Sequence, residues 1–209
     1  MSTLVEIKIL KEIVNEFKCN NIDYWVTDGT ALKLYRDNIL FPSSDFDFAM
    51  FSESIPVALR ICDNLKKKGY IIAYQNRLSF VEDFILIYPP EKCSFGPISF
   101  NFYHKNGDEA FSRNFNHPFR KEKIWIKFFS LGFKLQDKVT LKNKSLLLKM
   151  ISYIPMPIRN SIGKIFFYLY GKFAKTYWYV IPLHFFDSFT KKELMGVELF
   201  LPSNIEEFL

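Results

Sequence analysis

Asp45 and Asp47 alternate with phenylalanines in the run Asp45 to Phe51, DFDFAMF. Side chains alternate faces along an extended strand, so both carboxylates project to one side, roughly 7 Å apart, while Phe46 and Phe48 turn to the other. Two carboxylates aimed at one point can hold one or two magnesium ions, whose octahedral shell is completed by water and substrate phosphate. Upstream, Gly29-Thr30 opens the segment GTALKLYR. A glycine there allows a phosphate to approach the backbone at a helix N-terminus, and the threonine hydroxyl would add to the cradle. Arg36, one to two turns further on, suits planar, bidentate phosphate contact. The chemistry expected is group transfer at phosphorus.

Each feature also has a purely structural reading. D-F-D can be the wet side of an edge strand, Gly29-Thr30 a turn with a helix cap, and Arg36 part of a solvated helix face. The order strand, Gly-Thr, short helix, strand with D-x-D favours chemistry, because it sets a phosphate cradle across from two metal-binding acids.

The elements that must position these residues follow from periodicity. Thr3 with Glu6 reads as a capping box, and Leu4, Ile7, Leu10, Ile13, Val14 and Phe17 predict a helix to about Cys19. Residues 23–28 (DYWVTD) read as a strand, 29–36 as a short helix, 37–44 as a loop closed by Pro42, and 45–51 as the next strand. A helix is expected over 54–68 with Gly69 as its stop, then strands over 70–74, 78–88 and 98–104, a tight turn at Asn106-Gly107 and a strand over 123–129 (KIWIKFF). Helices over 146–154 and 158–173, a strand near 197–201 and a helix start at 203–206 complete the reading.

With these elements in order, Gly29-Thr30 followed by Asp45-Phe46-Asp47 resembles the signature of the DNA polymerase beta-like nucleotidyltransferase superfamily. Residues 24–50 are most similar to the LicD/fukutin family, whose G-T-x-L, Arg, Pro and D-x-D are matched by Gly29, Thr30, Leu32, Arg36, Pro42, Asp45 and Asp47. Residues 98–108 resemble that family's I-D-[IL]-F strand, with Asn101 where a third carboxylate would stand, and 180–209 resemble its closing segment. The resemblance implies an α+β fold, a mixed sheet on a nucleotidyltransferase core, with a helical C-terminal elaboration. It implies metal binding by Asp45, Asp47 and Asn101, donor phosphates on Gly29, Thr30 and Arg36, and Mg2+ or Mn2+ as cofactor.

The activity implied is transfer of a phosphorylated alcohol, phosphocholine or a polyol phosphate, from a CDP-linked donor to a glycan or lipid-linked glycan. A nucleotidyltransferase moving a nucleoside monophosphate onto a small molecule, protein or RNA is the alternative. A catalytically silent binding protein is a further one, motivated by the neutral Asn101. Glu82 or Asp83 could stand in for the missing acid, although a surface pair is the simpler reading. The Pro-to-Asp spacing is one residue shorter than the family's. The family also continues past the equivalent of Leu209 with a Tyr-Gly and a Trp, so a fragment or degenerate member is expected.

Composition narrows the remaining classes. With 209 residues, 49% hydrophobic and 24% charged, the chain is expected to form one globular domain over 1–209, with a catalytic core at 1–135 and a basic helical and closing segment at 136–209. Cys19, Cys62 and Cys93 form no C-x-x-C pair, and His104, His117 and His184 share no ligand spacing, so neither zinc nor a disulfide framework is signalled. Charged residues among the first twenty exclude a signal-peptide core, which favours a cytoplasmic location. Tyr177-Trp178-Tyr179 read as core rather than as a base-stacking platform.

Charge is uneven: from Arg113 to Lys149 there are ten Lys or Arg and two acids, and from Lys138 to Phe186 no Asp or Glu at all. Such a block favours an anionic partner, whether phospholipid head groups at a membrane surface, a nucleotide or nucleic acid, although no DNA partner is expected. Ile162, Ile165, Phe166, Leu169 and Phe173 form a helical stripe that fits either an interfacial helix or a core-facing one.

Overall fold

The computed structural model describes residues 2–39, 45–74, 84–90, 96–114, 123–136, 151, 153–175 and 177–208. The chain divides into two compact units, Met1–Tyr74 with Glu82–Ser112 and Val180–Leu209, and Gln75–Val81 with Arg113–Tyr179. The closing segment therefore belongs with the N-terminal elements, and residues 135 and 136 both lie inside the second unit.

The elements run α1 (Ser2–Cys19), β1 (Trp25–Val26), α2 (Asp28–Arg36), β2 (Phe46–Phe51), α3 (Ile55–Lys67), β3 (Ile71–Tyr74), β4 (Phe84–Tyr88), β5 (Ile98–Asn106) and β6 (Glu109–Asn114). They continue through α4 (Lys123–Gln136), α5 (Met156–Phe173), β7 (Tyr177–Pro182), β8 (Phe189–Leu194), β9 (Val197–Pro202) and α6 (Ile205–Phe208). The fold is α+β with a mixed sheet, as expected. Strand order is β1-β2-β5-β4-β3, with β6 on β5 and β7 on β6, while β8 and β9 form a separate two-stranded sheet. β2 and β5 are parallel, so the chain must cross over between them, and it does so through α3, β3 and β4.

In the first unit, sequence alternation translates directly into burial. Phe46, Phe48 and Met50 of β2 and Ile98, Phe100 and Phe102 of β5 face the stripe Leu10, Ile13, Val14 and Phe17 of α1, all of them buried. The Phe17 ring lies 5.2 Å from Phe48, edge to face, and 5.0 Å from Phe100. Each such ring, fully removed from water, contributes about 1.5–3 kcal/mol. At the opposite face a smaller cluster gathers Trp25, Ala49, Tyr103, Ala110, Phe185 and Phe186. Gly69 (φ +93) ends the α3 segment, and Gly107 (φ +59) sits in the two-residue turn between β5 and β6, where Asn106 pairs Glu109. Both conformations favour glycine.

In the second unit α4 packs on α5. Ring contacts run from Phe128 to Phe166 (5.3 Å) and from Phe129 to Phe167 (5.7 Å) and Tyr170 (5.1 Å). Gly132 makes the close approach possible: a Cβ there would lie 3.1 Å from the Gly163 carbonyl oxygen and 3.2 Å from the Phe167 ring.

Several expectations change. Residues 123–129 are helical, not a strand, because they open α4 and the buried positions recur as Gly132 and Leu135 at helical spacing. β6, β7 and β8 have no counterpart in the sequence reading. Trp178 and Tyr179 are 45% and 46% exposed, so they are not core. α1 begins at Ser2, one residue before the expected cap. The loop around Pro42, residues 78–83 with Glu82 and Asp83, and the first part of the helix expected over 146–154 lie outside the described residues.

Candidate active site

The two faces of β2 separate structure from chemistry. Phe46, Phe48 and Met50 enter the core, while Asp47 projects from the other face and Asp45, exposed, stands just before the strand. The parallel register sets Asp47 directly beside Ser99 and Ala49 beside Asn101. Ser99, itself 6% exposed, donates its hydroxyl to Asp47 Oδ1 at 2.6 Å. Asn101 Nδ2 donates to Ser99 Oγ at 2.9 Å and to the Phe48 carbonyl at 3.3 Å. The amide of Asn101 thus reaches Asp47 through Ser99, and Ser99 holds the position across from the carboxylate.

Two bonds tie α2 and its cap to β2, and a third closes the first turn of the helix. The Thr27 backbone N–H donates to the Asp47 carbonyl at 3.1 Å, Ala31 N–H to Thr27 O at 3.1 Å, and Asp47 N–H to Thr30 Oγ1 at 2.9 Å. Thr30 is 5% exposed and its hydroxyl oxygen is engaged by the strand, so it fixes the position of Asp47. Its hydroxyl also hydrogen-bonds to the Asp47 side chain. Gly29 is exposed, and a Cβ built on it meets nothing within 4 Å. The first amides of a helix carry no intrahelical partner, which leaves the Gly29 end of α2 suited to an anion.

Arg36 lies at the far end of α2, about 12 Å along the axis from Asp28. Its Nε and Nη2 donate to the two carboxylate oxygens of Asp37, each at 2.7 Å. The structure brings Asp45, Asp47, Gly29, Thr30 and Asn101 to one end of β2 and α2, and leaves Arg36 paired elsewhere.

Asp28 was not singled out in the sequence, yet it belongs here. It is the first residue of α2 and holds φ +51, a left-handed conformation that costs a non-glycine residue about 1–2 kcal/mol. It keeps open surface, but the protein packed around its carboxyl, and then the charge of Asp45, raise its pKa. The signal available in the sequence was its place immediately before Gly29. Burial likewise pushes Asp47 up to about 6, opposed by the hydrogen bonds from Ser99 and Thr30 and reinforced by Asp45 and Asp28.

Repelling carboxylates of this kind are the condition that a divalent cation relieves. Among the described residues no cluster of three or more His, Cys, Asp or Glu side chains is arranged to hold a metal. The carboxylates that could hold one are Asp45 and Asp47, with Asp28 adding to the field. That suits magnesium, which is commonly bound through one or two carboxylates with phosphate and water completing its shell. A groove of about 680 Å³ beside α1, lined by Leu4, Ile7, Lys8, Lys11 and Lys68 among others, contains none of these residues.

No protein-family model matches the chain, and no curated protein does. Among solved structures the chain is similar to the lincomycin-bound lincosamide antibiotic adenylyltransferase LnuA, with a TM-score of 0.45 and 11% sequence identity over 96% of this chain and 82% of that one.

Proposed function

We propose that the chain is a divalent-metal-dependent nucleotidyltransferase, moving a nucleoside monophosphate from a nucleoside triphosphate to an acceptor hydroxyl. The observation that supports this reading is Asp47, on the face of β2 opposite Phe46 and Phe48, with the charge of Asp45 just before the strand acting on it and Gly29 in the first turn of α2. Asp45 and Asp47 would hold Mg2+ or Mn2+, which neutralises phosphate charge and orients the donor when bound. Ser99 holds one oxygen of Asp47 and so fixes the direction of the other. Thr30 holds the backbone of the same residue. The Gly29 end of α2 receives a donor phosphate, with backbone N–H groups as its ligands. The acceptor oxygen then bonds to the α-phosphorus, the bridging P–O bond breaks, pyrophosphate leaves, and the hydroxyl proton passes to water or to a neighbouring carboxylate. Positioning and charge neutralisation supply most of the rate.

A second reading rests on the resemblance of residues 24–50 to the LicD/fukutin family: transfer of a phosphorylated alcohol from a CDP-linked donor to a glycan, with CMP as the leaving group. The two readings share the site and differ in product.

Thermal shift with magnesium, against nucleoside triphosphates and CDP-linked donors, tests both, since a ligand that binds only the folded chain raises its melting point. Incubation with the ligand that shifts it releases pyrophosphate under the first reading and CMP under the second. Magnesium-dependent binding without either product assigns the chain as a silent binding protein. Unchanged magnesium dependence in Asp45→Ala and Asp47→Ala would overturn the metal assignment.

A further inference from the structure

α5 in the second unit has two unlike sides. Arg159, Gly163, Phe167 and Tyr170 are buried, and the rings of Phe166, Phe167 and Tyr170 meet α4. The other side leaves large apolar residues in solvent: Ile158 is 52% exposed, Ile165 58%, Tyr168 60% and Phe173 55%. At 100° per residue, Ile158, Ile165 and Lys172 fall on one line along the helix, with Tyr168 on one flank and Phe173 on the other. Lys164 and Lys172 are exposed among them. The expected stripe is therefore divided, since Ile165 and Phe173 point out while Phe166 is half-buried with its ring against Phe128.

Eighteen residues of helix, about 27 Å long, thus present aliphatic and aromatic side chains with two lysines among them, in a stretch from Lys138 to Phe186 that holds eight Lys or Arg and no acid. An apolar face alone would not name its occupant, but the charge does. A second copy of this face would bring cations onto cations. Nucleic acid would satisfy the lysines but would leave Ile158 and Ile165 without an apolar partner. An anionic lipid surface satisfies both, with phosphate headgroups for the lysines and the acyl boundary for the isoleucines and rings. No helix among the described residues is long and apolar enough to cross a membrane, which leaves the flat, interfacial orientation.

We propose that the outward face of α5 seats the protein on an anionic membrane surface, with Ile158, Ile165, Tyr168 and Phe173 in the headgroup region and Lys164 and Lys172 on lipid phosphate. The proposal stands apart from the transferase reading, since it uses none of the active-site residues.

Flotation of the full chain with phosphatidylcholine vesicles, with and without 30% phosphatidylglycerol, tests it. The chain is expected to float with the anionic vesicles, not with the neutral ones, and less as salt rises. Lys164→Gln and Lys172→Gln should each weaken the partition about fivefold, the equivalent of about 1 kcal/mol per basic residue. Ile165→Ser and Tyr168→Ser should each weaken it about tenfold at every salt concentration, with unchanged melting temperature because both positions are already in solvent. Absence of flotation at low salt, or wild-type flotation by Ile165→Ser and Tyr168→Ser alike, overturns the proposal. An oligonucleotide that strips the chain from vesicles while Ile165→Ser has no effect reassigns the face to nucleic acid. A dimer in sedimentation equilibrium that Ile165→Ser dissolves reassigns it to a second copy.

Discussion

The two faces of the β2–β5 pair share one backbone and obey opposite rules. On one face Phe46, Phe48, Ile98 and Phe100 are fully buried against α1, where any polar group would be an error. On the other, Asp47, Ser99 and Asn101 form a chain of hydrogen bonds in which a carboxylate is held partly out of water at a cost visible in its raised pKa. The first face holds the fold together, and the second, which further along buries Ala49 and Tyr103 with Trp25, gives up some stability at the Asp47 carboxylate. Such local conflict is the mark of a functional site.

The largest expected effect breaks the first face. Phe48→Ala empties a fully buried ring position and should cost about 3–5 kcal/mol in urea unfolding, enough to leave a domain of ordinary stability partly unfolded. Asp47→Asn, one residue away, should leave unfolding in urea unchanged or improved at pH 7 while abolishing magnesium-dependent nucleotide binding. A loss of stability comparable to that of Phe48→Ala would show that Asp47 belongs to the scaffold.

Smaller effects sharpen the contrast. Ser99→Ala removes the donor that orients Asp47, and metal affinity measured by calorimetry should fall about tenfold, the usual scale for a residue that holds a metal ligand in place. The acid limb of stability gives the sign. Burial raises Asp47 from 3.8 to about 6 in the folded state, so the proton is bound more tightly there than in the unfolded chain. The contribution of that proton is fully present below pH about 4 and is lost as pH rises through about 6. Without metal, the wild type should therefore gain stability relative to Asp47→Asn as pH falls from 7 to 4, and metal affinity should climb across the same window as pH rises. An Asp47→Asn profile parallel to the wild type would contradict the assignment.

How much of this the sequence disclosed depends on the range of the interaction. The β1-α2-β2 segment was legible because alternation in DFDF and the Gly-Thr break are local patterns, and the structure keeps them. The α4 segment was not, since a seven-residue window of β-branched and aromatic residues looks the same in both states. Only the continuation through Gly132 and Leu135 shows the helical period. For the third position, Asn101, the serine that stands between it and Asp47 was not legible, for a related reason. Asn101 and Ser99 share a face of β5, and which of them stands across from Asp47 is set by the register between strands far apart in the chain. Arg36 pairs with Asp37, a partner that the sequence reading placed in the loop. Asp28 was overlooked because nothing in a sequence announces a positive φ at a non-glycine residue.

The parallel pairing of β2 with β5 carries a kinetic consequence. Ser99 and Asp47 are 52 positions apart in the chain, whereas Asn106 and Glu109 close a hairpin over a two-residue turn and Leu194 and Val197 close another. Bringing distant segments together loses more chain entropy before any contact rewards it, so the local hairpins are expected to form early and the Asp47–Ser99 bond late. Mutants in the turn at Gly107 should slow refolding, while Ser99→Ala should act mainly on the unfolding rate; the reverse pattern in stopped-flow chevrons would refute this order. A chain caught partway to its native state would then have its hairpins without the Asp47–Ser99 bond, and the proposed site would be assembled only with the last strand to dock.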